Sequence, residues 1–346
     1  MKKILLSSLF LIAGHTVQPA PLDGTSAVVY QTTTYDFSDG DYARGCVRLA
    51  GFSVPAEQRV VLNTFVPVTG SVNANDTGIL ELEGDLALAA GARFSSGAVI
   101  DGKNKTIFFQ GPLGLPQNAV FQLTSSVTLD GQGHRLTLRN TQFNVSGDSD
   151  ITFTLRNMTL YGLKDLNDSL GAIRFEGAGS HKLVLDNVVV YLTDDGSFDG
   201  AALTVKNNVV LTGGKQLTFK ASNDMVIEAG SAFIIDLRTK LNYEPADKKS
   251  THLVFGDKNA RLVLMGGTIF SPKDTGITMV SGHLVVDHKS YLQQDWADSV
   301  FGPERGAFTL GNGYEKFNMN VDVLPGAQLV FDAAKIQYNI ADPATN

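Results

Sequence analysis

Asp194-Asp195, followed by Gly196 and then Asp199, is the densest group of side chains with chemistry open to them. Two neighbouring carboxylates can have their pKa values driven apart, so that one serves as acid and the other as base in glycosidic cleavage. Consecutive strand residues point to opposite faces, so the pair serves one site only from a bend. The same three aspartates, Asp194, Asp195 and Asp199, offer oxygen ligands of the kind Ca²⁺ takes, as do Asp36, Asp39 and Asp41 in a second acidic turn. Neither place has the EF-hand pattern or a glycine-rich nonapeptide repeat, and a solvated acidic loop is the simpler reading of both. No metal set or cofactor is therefore expected, with Ca²⁺ as the one alternative.

The other reactive residues are scattered. His15, His134, His181, His252, His283 and His288 form no His-Glu-x-x-His pair, and His283 and His288 fall on opposite sides of one strand. Cys46 has no triad-like neighbours, and a lone thiol packs as a small apolar group. Gly131-Gln132-Gly133 lacks the third glycine of a dinucleotide fingerprint, since Leu136 stands there, and reads as a turn.

Composition narrows what these groups can belong to. The chain has 346 residues, 28 Lys+Arg against 35 Asp+Glu, a net charge of −7, 43% apolar and 18% charged residues, and one cysteine. That supports a real core, excludes an intramolecular disulfide scaffold, and argues against nucleic-acid binding, which needs a basic excess. Met1-Lys2-Lys3 followed by the apolar run Ile4 to Ala13 has the form of a secretory signal over 1–20, with cleavage expected between Gly14 and Ala20. The run is half the ~20 residues a membrane span needs, and no later stretch reaches that length. A secreted, periplasmic or outer-surface protein without a transmembrane segment is expected.

The elements that must carry these residues are short strands. Runs such as Ile79-Leu80-Glu81-Leu82, Ile107-Phe108-Phe109, Ile151 to Leu155, Leu183-Val184-Leu185, Arg261 to Leu264 and His283 to Val286 are apolar and β-branched, bounded by Gly, Asn, Asp and Ser. Helical periodicity shows only at Ser290 to Phe301, where a capping-box spacing and Leu292, Trp296 and Val300 on one face predict a short helix over 291–300.

Imperfect repeats point to a solenoid. Phe94 to Phe109 aligns with Leu123 to Leu138 at an offset of 29, pairing Asp101-Gly102 with Asp130-Gly131. A second unit, an apolar residue, a charged one and then Asn, recurs at Asn140, Asn157, Asn187 and Asn207. A third spans Leu88 to Phe94, Ile227 to Phe233 and Val323 to Leu329. Coils of parallel strands turn without hairpins, and Asn, Asp and Gly tolerate the left-handed backbone of such bends. Asp101, Gly102, Asp130, Gly131, Asn140, Asn157, Asn187 and Asn207 are the expected coil-bend residues. Strand ends of a Greek-key sandwich are the competing reading.

Val127 to Leu138, followed by Ile151 to Leu160 and Leu183 to Val190, resembles the right-handed parallel β-helix of pectate-lyase-like proteins. Bacterial secreted and surface proteins use similar coils, and Leu310 to Phe331 looks like theirs. The resemblance implies an all-β chain with a signal (1–20), an N-terminal cap (21–78), a solenoid body (79–340) and a polar tail (341–346). Its members include polysaccharide lyases and hydrolases, adhesin-like passengers and phage-tail proteins. The hydrolases pair their aspartates with Gly-His-Gly, whereas Gly133-His134-Arg135 and Gly282-His283-Leu284 both lack the second glycine. The leading expectation is a structural or adhesive surface protein whose loops bind a host or envelope component or a glycan. A carbohydrate-active enzyme using Asp194, Asp195 and Asp199 is the alternative.

Overall fold

The computed structural model describes residues 31–35, 49–63, 65–75, 77–164, 172–221, 224–245, 253–271, 277–294, 308–311, 319–332 and 336–338. The expected signal, the acidic turn at 36–41, Cys46, His15, His252 and the tail at 341–346 lie outside them.

The described chain is all-β, and every strand pairing in it is parallel. A thirteen-stranded sheet runs from Gln31–Tyr35 to Leu329–Asp332 and forms the first face. A second row of strands begins at Val66–Val68 and ends at Ile336–Tyr338, and a third ends at Asn320–Val323. The chain visits the faces in turn and then returns beside its own earlier strand, as a parallel solenoid requires. The second and third rows are joined where Thr152–Tyr161, Lys182–Tyr191 and Ala202–Thr212 each bend and contribute to both. Phe52–Val54, Ser71–Ala74 and Arg93–Phe94 form a separate three-stranded sheet. Strands N-terminal to Ile79 join the same sheets, so the stacking begins ahead of that residue.

Each face aligns its inward side chains into columns. On the first face Phe121, Phe143, Ile173, Phe198, Phe219 and Tyr243 are successive partners. On the second the column is Leu86, Ile107, Leu129, Leu155, Leu185, Val205, Ile227 and Phe255. On the third it is Leu136, Leu160, Val190, Leu211, Ile235, Leu264 and Val286. All of these belong to one buried cluster. No strand could bury its apolar side alone; each is sheltered by the coils before and after it. Full burial of such a side chain contributes roughly 1.5–3 kcal/mol before the entropy of ordering the chain is subtracted.

Two expectations are corrected. Ser290–Gln294 is a strand, not the start of a helix: it pairs with Thr268–Ser271 and Leu329–Asp332. Among the described residues there is no helix, and 295–300 lies outside them. The Ser290 hydroxyl accepts from the Gly266 N–H (3.0 Å) and donates to the Leu264 carbonyl (3.2 Å), so it bonds to the previous coil instead of capping its own chain. The repeat is also shorter than the offset of 29 suggests. Ile107 pairs with Leu129, 22 residues on, and not with Leu136. Every face carries the same apolar-x-apolar signature, so the alignment slipped by one face.

Candidate functional site

The corners decide what the outer surface carries. Asn157, Asn187 and Asn207, between the second and third faces, have φ of 51°, 56° and 54°. The Asn187 amide donates to the Asn157 carbonyl oxygen at 3.0 Å, and Asn207 donates to Asp186 at 2.5 Å. Asn140 (φ 60°) stands at a different corner, donating to Asn118 at 3.3 Å. Asp101 ends a first-face strand and accepts from the Ser125 hydroxyl at 2.6 Å. Asp130, buried at the Asn157 corner, accepts from the Arg156 guanidinium (2.8 Å) and the Gln132 N–H (2.9 Å). A β-carbon on Gly102 would lie 2.5 Å from that of Val127, and one on Gly131 2.6 Å from that of Met158. The third repeat unit is also a turn: Ala92, Ser231 and Ala327 donate backbone bonds three residues back across Gly91, Gly230 and Gly326, all at positive φ.

At the corner of Gly131, Asn157, Asn187 and Asn207 the preceding charged residue alternates in sign from coil to coil. Asp130, Arg156, Asp186 and Lys206 are successive partners, and Lys206 reaches Glu228 at 3.1 Å. With coils ~4.8 Å apart this is a column of alternating charge, the sheet arrangement that avoids like-charge neighbours. A second cluster sits outside the first face. Buried Glu81 is bonded by both Arg59 and Lys103. Burial alone would raise its pKa, but the bonds from Lys103 and Arg59 outweigh it and hold the carboxyl below its ordinary value.

Asp194 and Asp195 are exposed in the turn before Gly196–Asp199. Asp194 accepts from the Thr193 hydroxyl (3.3 Å) and Asp195 from the Gln216 backbone N–H (2.8 Å); Asp199 is the last residue of the strand. The register carries Asp195, Gln216 and Lys240 along one edge, with Lys240 two coils, about 10 Å, from Asp195. Lys215 and Gln216 hold the coil between them, and the Lys240 ammonium lies 3.9 Å above the Phe270 ring. Among the described residues, no three His, Cys, Asp or Glu side chains are grouped to hold a metal ion.

Sequence reasoning missed the groove on the third face. Arg261, His283 and Asn320 are register partners on successive strands, so residues 22 and 37 apart in sequence meet in one column. Arg261 and His283 line an open groove of about 800 Å³ with Asn259, Val285 and Asp322. Asp257 builds its rim by accepting N–H bonds from Gly230 (3.0 Å), Asn259 (3.0 Å) and Ala260 (2.8 Å), which ties one coil's turn to the next. The bond from Gly230 leads in holding the Asp257 carboxyl below the usual range. His283 Nδ1 lies 2.7 Å from Asp322, and its Nε2 lies 3.4 Å from the Asn320 amide nitrogen. With Nδ1–H facing the carboxylate, Nε2 accepts from Asn320 and is not directed at a nucleophile. No hydroxyl or thiol side chain is among the lining residues. The arrangement is suited to holding a ligand.

A stacked pair, Tyr161 and Tyr191 (4.9 Å), lies elsewhere on the same face, with Arg135 5.4 Å over Tyr161. No helix among the described residues is long and apolar enough to cross a membrane. No family model matches the chain, and neither the curated proteins nor the solved structures contain a match.

Proposed function

We propose that the chain is a right-handed parallel β-helix of the pectate-lyase-like kind, exported to the periplasm or outer cell surface, where it acts as a structural or adhesive rod displaying binding surfaces. The observation that carries this reading is the division of labour along the stack. Inward columns are continuous and buried, while the outer face is occupied by charge ladders, capped turns and the open groove at Arg261 and His283. Such a stack gains stiffness from each added coil and leaves its turns free to vary. Its partner is a host or envelope surface component or a glycan; the net charge of −7 disfavours nucleic acid. The N-terminal Lys2-Lys3 and Ile4 to Ala13 pattern supports export.

Expression of the complete chain in a bacterium, followed by fractionation and by binding of the purified protein to envelope material, tests the reading. Recovery outside the cytoplasm with saturable binding is the expected result. A cytoplasmic protein that binds no envelope material would contradict it. The shared edge of Asp195 and Lys240 favours the second reading, a carbohydrate-active enzyme. Release of reducing ends or unsaturated products from a panel of acidic and neutral polysaccharides, lost in Asp195→Asn, would establish that reading in place of the first.

A further inference from the structure

The outer side of the third face carries an apolar stripe. Val189, Val210, Ile234, Val263 and Val285 are successive register partners on five coils. Each stands between two buried neighbours and is itself only partly buried, so all five point outward. A strand with one side in water alternates apolar and polar residues, whereas these are apolar throughout, the pattern of strands covered on both sides. On the first face the outward positions are polar, as at Gln122, Asn144 and Arg174. Opposite charges end the stripe. Thr159 and then Arg135 precede Val189 in the column, and Asp322 follows Val285. Arg135 is exposed, and Asp322, whose side chain is 51% exposed, holds His283 through one carboxylate oxygen. Beside this column runs a second outward one, containing Tyr161, Tyr191, Thr212, Asp236, Met265 and Asp287.

We propose that this face pairs two copies of the chain, packed antiparallel about a two-fold axis that runs along the strands. The pairing goes beyond the surface-binding reading above. Such an axis reverses the order of the coils and keeps each column against itself, so the column from Arg135 to Asp322 meets its own reverse. Arg135 then faces Asp322 of the second copy, Thr159 faces Val285, Val189 faces Val263, and Val210 faces Ile234. The second copy's Arg135 thereby enters the groove at its Val285 and Asp322 wall. In the neighbouring column Tyr161 faces Asp287, a hydroxyl and a carboxylate, and Tyr191, which is 39% exposed, faces the Met265 thioether. On the other flank Arg261 faces Asn187, so no like charges meet. Pairing with the coils in the same order would set Arg135 on Arg135 and Asp322 on Asp322, and charge therefore selects the antiparallel form. Eight coils ~4.8 Å apart and three columns ~6.8 Å apart span about 34 by 14 Å. Over both copies that is about 950 Å², near the ~1,000 Å² at which specific interfaces begin.

The test is sedimentation velocity of the full chain between about 1 and 100 μM, the range of weak association that an interface of this size implies. The wild type passes from monomer to dimer across it. Arg135→Asp and Asp322→Arg each weaken self-association by about tenfold or more, because each sets like charges together twice per dimer. Mixed in equal amounts, the two variants associate as the wild type does, since each new charge meets its opposite on the other copy. Ile234→Lys, beside the two-fold axis, abolishes the dimer, whereas Gln122→Arg on the first face leaves it unchanged. Circular dichroism melting confirms that each variant is folded. The proposal is overturned if the wild type stays monomeric at about 100 μM, as it would were the stripe covered by a segment of its own chain. It is also overturned if either charge reversal associates like the wild type, or if the mixture does no better than its components. A monomer that binds envelope material removes the pairing alone; a dimer that stays in the cytoplasm and binds none removes the wider reading and leaves the pairing intact.

Discussion

Asp186→Lys probes the alternating column at its centre, because residue 186 lies between Arg156 and Lys206 in register. Taking the coil spacing as the charge separation, two unit charges ~4.8 Å apart interact by about 0.9 kcal/mol in water. Reversal turns two attractions into two repulsions, an unscreened change of about 3.5 kcal/mol. Physiological salt screens over ~8 Å and roughly halves this. Arg156 and Lys206 side chains are 36% and 41% exposed, which lowers the cost further. The expected destabilisation is then about 1–2 kcal/mol at 0.15 M salt, falling below about 1 kcal/mol at 1 M, where screening acts over ~3 Å. Asp186→Asn, which removes the charge without reversing it, costs about half as much at low salt. Urea unfolding at the two salt concentrations measures both, with an unchanged slope required for the comparison. A cost for Asp186→Lys that is independent of salt, or equal to that of Asp186→Asn, refutes the ladder.

Three further outcomes follow from the same geometry. Asn157→Gly keeps the left-handed corner but loses the amide bonds to Asp130 and Asn187, costing about 1 kcal/mol, whereas Asn157→Ala adds backbone strain and costs about 2 kcal/mol; equal urea midpoints would contradict this. Gly131→Ala drives a β-carbon into Met158 and the Asn157 carbonyl, and overpacking of this kind costs about 1–3 kcal/mol by the same measurement; an unchanged midpoint would show that the corner is loosely packed. For Glu81 the folded pKa is depressed, so the stability it contributes is present above the ordinary value of 4.5 and lost as pH falls through the folded pKa. Melting temperature should therefore decline more steeply below about pH 4.5 in the wild type than in Glu81→Gln, and parallel curves would count against the cluster.

The architecture was legible because apolar-x-apolar runs between turn residues survive in every coil, and the left-handed Asn and Gly corners mark where they end. Register was less legible. All three faces share one inward pattern, so Ile107 matches Leu129 and Leu136 equally well by residue type, and only the stacking of the coils chooses between them. At Ser290 a local capping pattern competed with strand pairing on both sides, and the tertiary contacts prevailed. The motif of charge before Asn was visible, but its alternating sign has meaning only once Arg156, Asp186 and Lys206 are neighbours. The groove had no local signal. Arg261, His283 and Asp322 come from three separate circuits, and nothing in their own sequence neighbourhoods distinguishes them from other surface residues.

Parallel stacking of successive coils is most directly tested by engineered cross-linking. In a Cys46→Ala background, Thr128→Cys with Thr154→Cys places the two thiols on adjacent coils in register, about 4.8 Å apart between α-carbons and within disulfide range. Thr128→Cys with Val184→Cys spans two coils, about 9.6 Å, beyond the ~7 Å limit. The account predicts rapid disulfide formation under mild oxidation in the first pair and none in the second. No cross-link in the first, or equal cross-linking in both, would contradict it.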